Sequence, residues 1–210
     1  MNLLIGCPKG GTGKSTLATN LAAYVAHAKK DVLLLDLDSQ ASSRRWCERR
    51  ASLNVPPVPV AQLSGDVTGP ARDLARCFGN LVMDAAGRNG PELRTAARVA
   101  DVWFVPVRPG IADLETLNDV VDILSAARID NPKLRVEVVM SCVSTHYGSR
   151  EVFQARDAIQ ASFPELPVSA QFIRDRKTYR DAAAVGASVL EGKSPARAEI
   201  QLLAQSVFTF

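Results

Sequence analysis

The sequence is short of the features that mark several protein classes. No apolar run among its 210 residues approaches the roughly 20 that a membrane helix needs, so no segment reads as a helical span. Histidine occurs only twice, and the four cysteines, Cys7, Cys47, Cys77 and Cys142, form no C-x-x-C pair. That spacing excludes zinc-ribbon frameworks, and the thiols read as reduced, in a cytosolic setting. No charge sign dominates: the formal net charge is +3, which permits a nucleic-acid or acidic partner without demanding one. There is no repeat, no low-complexity tract and no linker long enough to divide the chain. Met1-Asn2 runs straight into an apolar stretch, with neither a signal peptide nor an N-terminal helix-turn-helix extension. One domain over residues 1–210 is the expectation.

What is present begins at residue 7. Cys7-Pro8-Lys9-Gly10-Gly11-Thr12-Gly13-Lys14-Ser15-Thr16 follows the apolar run Leu3-Leu4-Ile5 and opens an amphipathic stretch beginning at Leu17. Strand, glycine loop and helix start are the setting a phosphate-binding loop requires. Its glycines let backbone N–H groups turn toward a β-phosphate, and the helix N-terminus adds positive charge. Gly10, Gly11, Thr12, Gly13 and Thr16 would cradle the nucleotide, Lys14 would bridge the β- and γ-phosphates, and Ser15 would ligate Mg²⁺. The loop departs from G-x-x-x-x-G-K-[ST] twice: Pro8 stands where the first glycine belongs, and a second lysine, Lys9, precedes the glycines. Cys7 borders the loop, as an apolar filler or a thiol whose alkylation blocks nucleotide.

Two further apolar runs end in acids. Val32 to Leu35 leads into Asp36-Leu37-Asp38-Ser39-Gln40, and Leu81-Val82-Met83 into Asp84-Ala85-Ala86-Gly87-Arg88. Acids at the carboxyl ends of parallel strands stand at the ligand crevice of an open α/β sheet. Period-two alternation points Asp36 and Asp38 the same way. Such a pair suits a metal–phosphate site, where lysine and Mg²⁺ relieve its repulsion. Asp84 would hold Mg²⁺ through water, and Gly87 would let the following segment sense a γ-phosphate.

Apolar runs alternate with helical patterns, which predicts a mainly parallel sheet covered by helices on both faces. Strands are expected at 3–6, 32–37, 81–84, 102–107, 136–141 and 168–170. Helices are expected at 15–28, 42–51, 70–78, 114–127, 149–162 and from 196 to the end. Leu114, Leu117, Val121 and Leu124 form a core-facing stripe. The proline-rich stretch 54–66 reads as an irregular connection.

The lysine pair of Lys9-Gly10-Gly11-Thr12-Gly13-Lys14-Ser15 resembles the deviant Walker A box of ParA/MinD P-loop ATPases. Asp36-Leu37-Asp38-Ser39-Gln40 is similar to that family's Asp-x-Asp-Pro-Gln box, with Ser39 in place of proline, and Asp84-Ala85-Ala86-Gly87 to the box of short, ParF-type partition proteins. The resemblance implies a single-domain P-loop NTPase using ATP/ADP and Mg²⁺. It implies that Lys9 reaches the nucleotide of a second subunit in an ATP-dependent homodimer, that Ser15, Asp36 and Asp84 serve the metal, and that Asp38 orients the attacking water. Catalysis would rest on Lys9, Lys14 and Asp38, with slow turnover because no strong general base is at hand. The segment Val105 to Asp113, including Pro109, resembles a stretch near the dimer face and the base, with Asp113 also a candidate helix cap. The segment around Arg176 falls where relatives line the adenine pocket.

The function implied is plasmid or chromosome partition: an ATP dimer on non-specific DNA, reset by a ParB-like centromere-binding protein, cytoplasmic and nucleoid-associated. Arg174, Lys177, Arg180, Lys193 and Arg197 are the DNA candidates, with Arg44, Arg45, Arg49 and Arg50 a second group. An iron–sulfur reductase of the nitrogenase type shares the deviant loop but needs paired cluster cysteines after the third box, where only Cys142 stands; three further alternatives remain. A MinD-like membrane ATPase needs a basic amphipathic tail, and residues 198–210 hold no lysine or arginine. A positioner of a protein cluster shares every box. A P-loop metabolic ligase has no use for Lys9.

Overall fold

The computed structural model describes residues 1–146 and 150–209. Its elements run β1 (Asn2–Ile5), α1 (Lys14–His27), β2 (Leu33–Leu37), α2 (Ser42–Arg50), β3 (Val60–Gln62), α3 (Thr68–Cys77), β4 (Leu81–Ala85) and α4 (Pro91–Ala97). They continue with β5 (Val102–Val107), α5 (Ile111–Leu114), α6 (Leu117–Asp130), β6 (Arg135–Val143), α7 (Glu151–Ser162), β7 (Val168–Arg174), α8 (Lys177–Ala184), a 3₁₀ turn (Val189–Glu191) and α9 (Pro195–Gln205). The strands form one sheet in the order β3-β2-β4-β1-β5-β6-β7, and every pairing is parallel.

The strand sequences explain the layering. Successive side chains leave a strand on opposite faces, and here both faces are apolar, as strands covered on both sides require. Leu4, Leu33, Leu35, Leu81, Met83, Trp103 and Val105 enter one core with α3, α4, α6 and α7. Leu3, Ile5, Leu34, Val82, Val102 and Phe104 enter the other with α1, α2 and α9. α9 buries Ala196, Ile200, Leu203 and Ala204, so the terminal apolar stripe is covered by the sheet and α1; Phe210 lies outside the described residues.

Two differences from expectation have local causes, and a third expectation lies partly outside the described residues. β3 is a three-residue edge strand on β2, inside the proline-rich stretch read as irregular. Pro56, Pro57 and Pro59 precede it, and β2 pairs onto the last of them, with Leu34 N–H donating to Pro59 O at 3.0 Å. The expected helix 114–127 is two helices: Leu114 closes α5, and the buried stripe of α6 is Leu117, Val120, Ile123, Leu124 and Ala127. α7 is described from Glu151, and Ser149, expected as its start, lies outside the described residues.

Candidate functional site

The sheet order puts all three sequence boxes at one edge. β1, which feeds the glycine loop, pairs with β4, and β4 pairs with β2; register sets Ile5 beside Asp84 and Asp36 beside Asp84. Two buried carboxylates therefore stand on adjacent strands beneath the loop.

The loop itself is held by glycine backbone. Gly11 and Gly13 adopt φ of 74° and 80°, the left-handed region that glycine enters without penalty. Lys14 begins α1 with its side chain folded back, Nζ donating to Lys9 O at 2.6 Å and to Thr12 Oγ1 at 3.5 Å. Burial lowers its pKa, opposed by Cys7, Asp84 and Asp38. A phosphate cavity of about 270 Å³ is lined by Gly10, Gly11, Gly13, Lys14, Ser15, Thr16, Asp38 and Gly87. Gly87 fits tightly there: a Cβ on it would lie 2.8 Å from Gly10 Cα and 3.0 Å from Lys14 Nζ.

The acids divide their work. Asp84 is fully buried, and burial raises its pKa to about 7 against the hydroxyls of Ser43 and Ser15. Ser43 Oγ donates to its Oδ2 at 2.6 Å, while Oδ1 is buried without a hydrogen-bond partner. An orphaned carboxylate oxygen beside the Ser15 hydroxyl and the phosphate cavity fits a hydrated Mg²⁺. Asp36 is not among the residues that line the cavity. β2 ends at Leu37, so Asp36 is the last acid inside the strand and Asp38 lies just past its end. Asp36 accepts from Asp38 N–H at 3.1 Å and from Arg44 N–H at 2.8 Å, which anchors the start of α2. Asp38 alone of the pair lines the cavity, its Oδ1 accepting from Gln40 N–H at 2.9 Å.

Lys9 is turned away from its own phosphate cavity. Its Nζ donates to Ala112 O at 2.9 Å and to Asp113 Oδ2 at 3.0 Å. Asp113 sits inside α5 and caps no helix with its side chain: Thr116 is the N-cap of α6.

Beyond Gly13 lies a second cavity of about 310 Å³, walled by Gly11, Gly13, Thr16 and Leu17, Arg108, Ser141 and Cys142, Ile173 to Arg176, and Tyr179 and Arg180. It sits beside the phosphate cavity and shares Gly11, Gly13 and Thr16 with it, as the base half of a nucleotide site does. Arg176 lines it, with Nε and Nη2 both 2.8 Å from Glu199 Oε1. At the Pro109 turn the wall is Arg108. Cys142, with φ of 52°, is the thiol on this wall. Cys7 is fully buried, burial pushes its pKa up, and its alkylation is shut off by packing.

Of the basic candidates, Arg174 and Arg180 also line the base cavity. Arg180 pairs with Asp175 and Lys177 with Asp181 at 2.8 Å. Lys193 and Arg197 are exposed and form no ion pair among the described residues. Arg44 pairs with Glu48, and Arg50 is buried at 1% exposure, which removes it from any DNA surface. Ser43, bonded to Asp84, and Cys142, on the second cavity's wall, carried no signal in the sequence, whereas Arg108 falls in the segment 105–113 placed near the base.

A central strand feeding a glycine loop, a lysine at the helix start and a buried acid on the neighbouring strand define a P-loop NTPase. The model of the CobQ/CobB/MinD/ParA nucleotide binding domain matches residues 3–189, and the chain belongs to that family as a P-loop ATPase of the ParA/MinD type. It is 28% identical over 189 residues to the maintenance of carboxysome distribution protein A of Halothiobacillus neapolitanus, covering 87% of this chain and 83% of that protein. The protein of the same name from Gloeobacter kilaueensis is 32% identical, over 91% of this chain and 85% of that one. The chromosome-partitioning ATPase Soj of Thermus thermophilus is 29% identical over 75% and 74%. Among solved structures, apo McdA of Cyanothece superposes with a TM-score of 0.82 at 15% identity over 99% of both chains. Cobyrinic acid a,c-diamide synthase of Mycobacterium smegmatis, solved with an ATP analog and magnesium, gives 0.79 at 17% identity over 98% and 93%.

Proposed function

We propose that this chain is an ATP-driven positioning switch: ATP joins two copies face to face, the dimer holds DNA without regard to sequence, and a partner protein stimulates the hydrolysis that releases it. The observation that carries the reading is Lys9. It stands at the front of a complete phosphate loop yet lies outside the cavity that loop forms, held instead by Ala112 and Asp113. A cation not used on the chain's own nucleotide is available to a second subunit's.

In this reading Lys14 and the loop amides hold the phosphates, with Lys9 of the second subunit stabilising charge that develops during in-line attack. Asp38, facing the cavity, orients water. Ser15, Asp84 and, behind them, Asp36 would hold Mg²⁺, which would neutralise phosphate charge. Ser43 keeps one Asp84 oxygen occupied and leaves the other without a hydrogen bond, so it would be available to the metal. With no strong base beside the water, turnover is slow and the nucleotide acts as a timer.

For the cargo, we group the Asp84 to Gly87 box with the short, ParF-type partition proteins, with a ParB-like centromere-binding partner and a nucleoid-associated location. A second reading, positioning of a protein body along DNA, is favoured by two relatives named for carboxysome distribution. Both need the same DNA-bound dimer. The test is gel-shift binding to unrelated duplex DNA with ATP, ADP or no nucleotide, at two salt concentrations, for the parent chain and Lys9→Ala. The expected result is salt-sensitive binding with ATP alone, abolished in Lys9→Ala. Binding by the variant equal to the parent would remove Lys9 from the cycle, and no binding by either would remove DNA.

A further inference from the structure

Four arginines line the base-side cavity, and three are occupied. Arg174 Nη1 donates to Ser144 O at 2.8 Å, and its guanidinium lies 5.0 Å over the Phe172 ring. Arg176 is paired with Glu199 and Arg180 with Asp175. Arg108 is exposed, and its guanidinium has no hydrogen bond or ion pair among the described residues. Its Nη2 stands 3.6 Å from the point a Cβ of Gly11 would occupy. Gly11 is a residue shared by the walls of both cavities.

The surroundings hold this position. β5 ends at Val107, Pro109 restricts the backbone that follows, and Gly110 N–H closes the turn onto Arg108 O at 2.8 Å. Ser141 Oγ lies 2.7 Å from Thr12 O and 3.3 Å from Val107 O, tying the glycine loop to the strand end that carries Arg108. A planar cation without a partner, kept against a phosphate loop, matches the geometry of a phosphate oxygen pair.

We propose that Arg108 binds the polyphosphate of the nucleotide held by its own protomer, from the base-side cavity, as Lys14 does from the phosphate cavity. The inference rests on the chain's being an adenine-nucleotide ATPase. The test measures ADP affinity at low and high salt for the parent, Arg108→Gln and Arg108→Lys, with thermal unfolding of each nucleotide-free chain as the folding control. Loss of one charge-assisted contact predicts about tenfold weaker ADP binding in Arg108→Gln at low salt. The deficit should shrink at high salt and be partly restored in Arg108→Lys. Unchanged affinity, or a loss indifferent to salt as contact with the base or ribose would give, overturns the proposal. Failure of the parent chain to bind ADP overturns the ATPase reading, and this one falls with it.

Discussion

Gly87 has no side chain where any other residue would push carbon into the glycine loop. A Cβ there meets Gly10 backbone at 2.8 and 2.9 Å, and backbone, unlike a flexible side-chain end, does not step aside cheaply. Gly87→Ala should therefore displace the loop and Lys14 while leaving both cores intact. Because misplacing reacting groups by about 1 Å costs on the order of a hundredfold in rate, ATP turnover should fall on that order. The unfolding temperature of the nucleotide-free chain should move little. Parental turnover in the variant would show that the loop accommodates the methyl. At this scale the sequence was informative wherever chemistry dictates a residue type: Lys14, Ser15, Asp38, Asp84 and Gly87 all stand at the phosphate edge. It placed the segment holding Arg108 near the base without singling that arginine out, and it was silent on Ser43, because a serine on a helix is commonplace until the fold brings it to the acid. It did not show that Asp36 accepts the Asp38 and Arg44 N–H groups, because those bonds depend on how the chain turns from β2 into α2.

α2 shows what one element adds. At its start Arg44 N–H and Ser43 Oγ are bonded to the two buried acids. At its end Arg50, buried, donates to Pro56 O at 2.9 Å, to Gly186 O at 3.3 Å and to Glu191 Oε1 at 2.8 Å. His27 Nε2 lies 2.6 Å from the same Glu191 oxygen, and Trp46 Nε1 donates to Ala187 O at 2.9 Å. Burial raises the pKa of Glu191, but bonds from Arg50, His27 and Ser188 outweigh it and bring the value from 4.5 to about 2. A depressed carboxylate pKa stabilises the fold at pH above the unfolded value, and that contribution is lost as pH falls from 4.5 toward 2. Glu191→Ala strands a buried guanidinium and should cost about 3–5 kcal/mol, read by denaturant unfolding at neutral pH. Glu191→Gln should flatten the acid limb of the stability curve; an acid limb as steep as the parent's would assign it to other carboxylates. Little of this tie was legible. Arg50 read as one of four surface cations, and α8 went unread as a helix in a segment taken for pocket lining and DNA contacts. α4 had its cue in Gly90-Pro91, a proline at the first helical position.

For the molecule as a whole, the question is what the free chain must give up to become the proposed dimer. Lys9 must leave Asp113, since one ammonium cannot serve both its own α5 and a second subunit's phosphates. The pair is half-buried, with side chains 34% and 11% exposed, and Asp113 Oδ1 is already without a hydrogen bond. A contact of this kind is worth about 1 kcal/mol or less, a factor of about five in an equilibrium. Asp113 thus makes the free state modestly preferred without blocking release. Asp113→Asn keeps the shape and removes the charge. It should lower the ATP concentration for half-dimerisation, read by light scattering, by up to about fivefold. Lys9→Ala should abolish the ATP dimer while nucleotide still binds. If Asp113→Asn needs the same ATP as the parent, the pair does not set the threshold. If it needs more, Asp113 serves the dimer rather than the free chain, and the preference runs the other way.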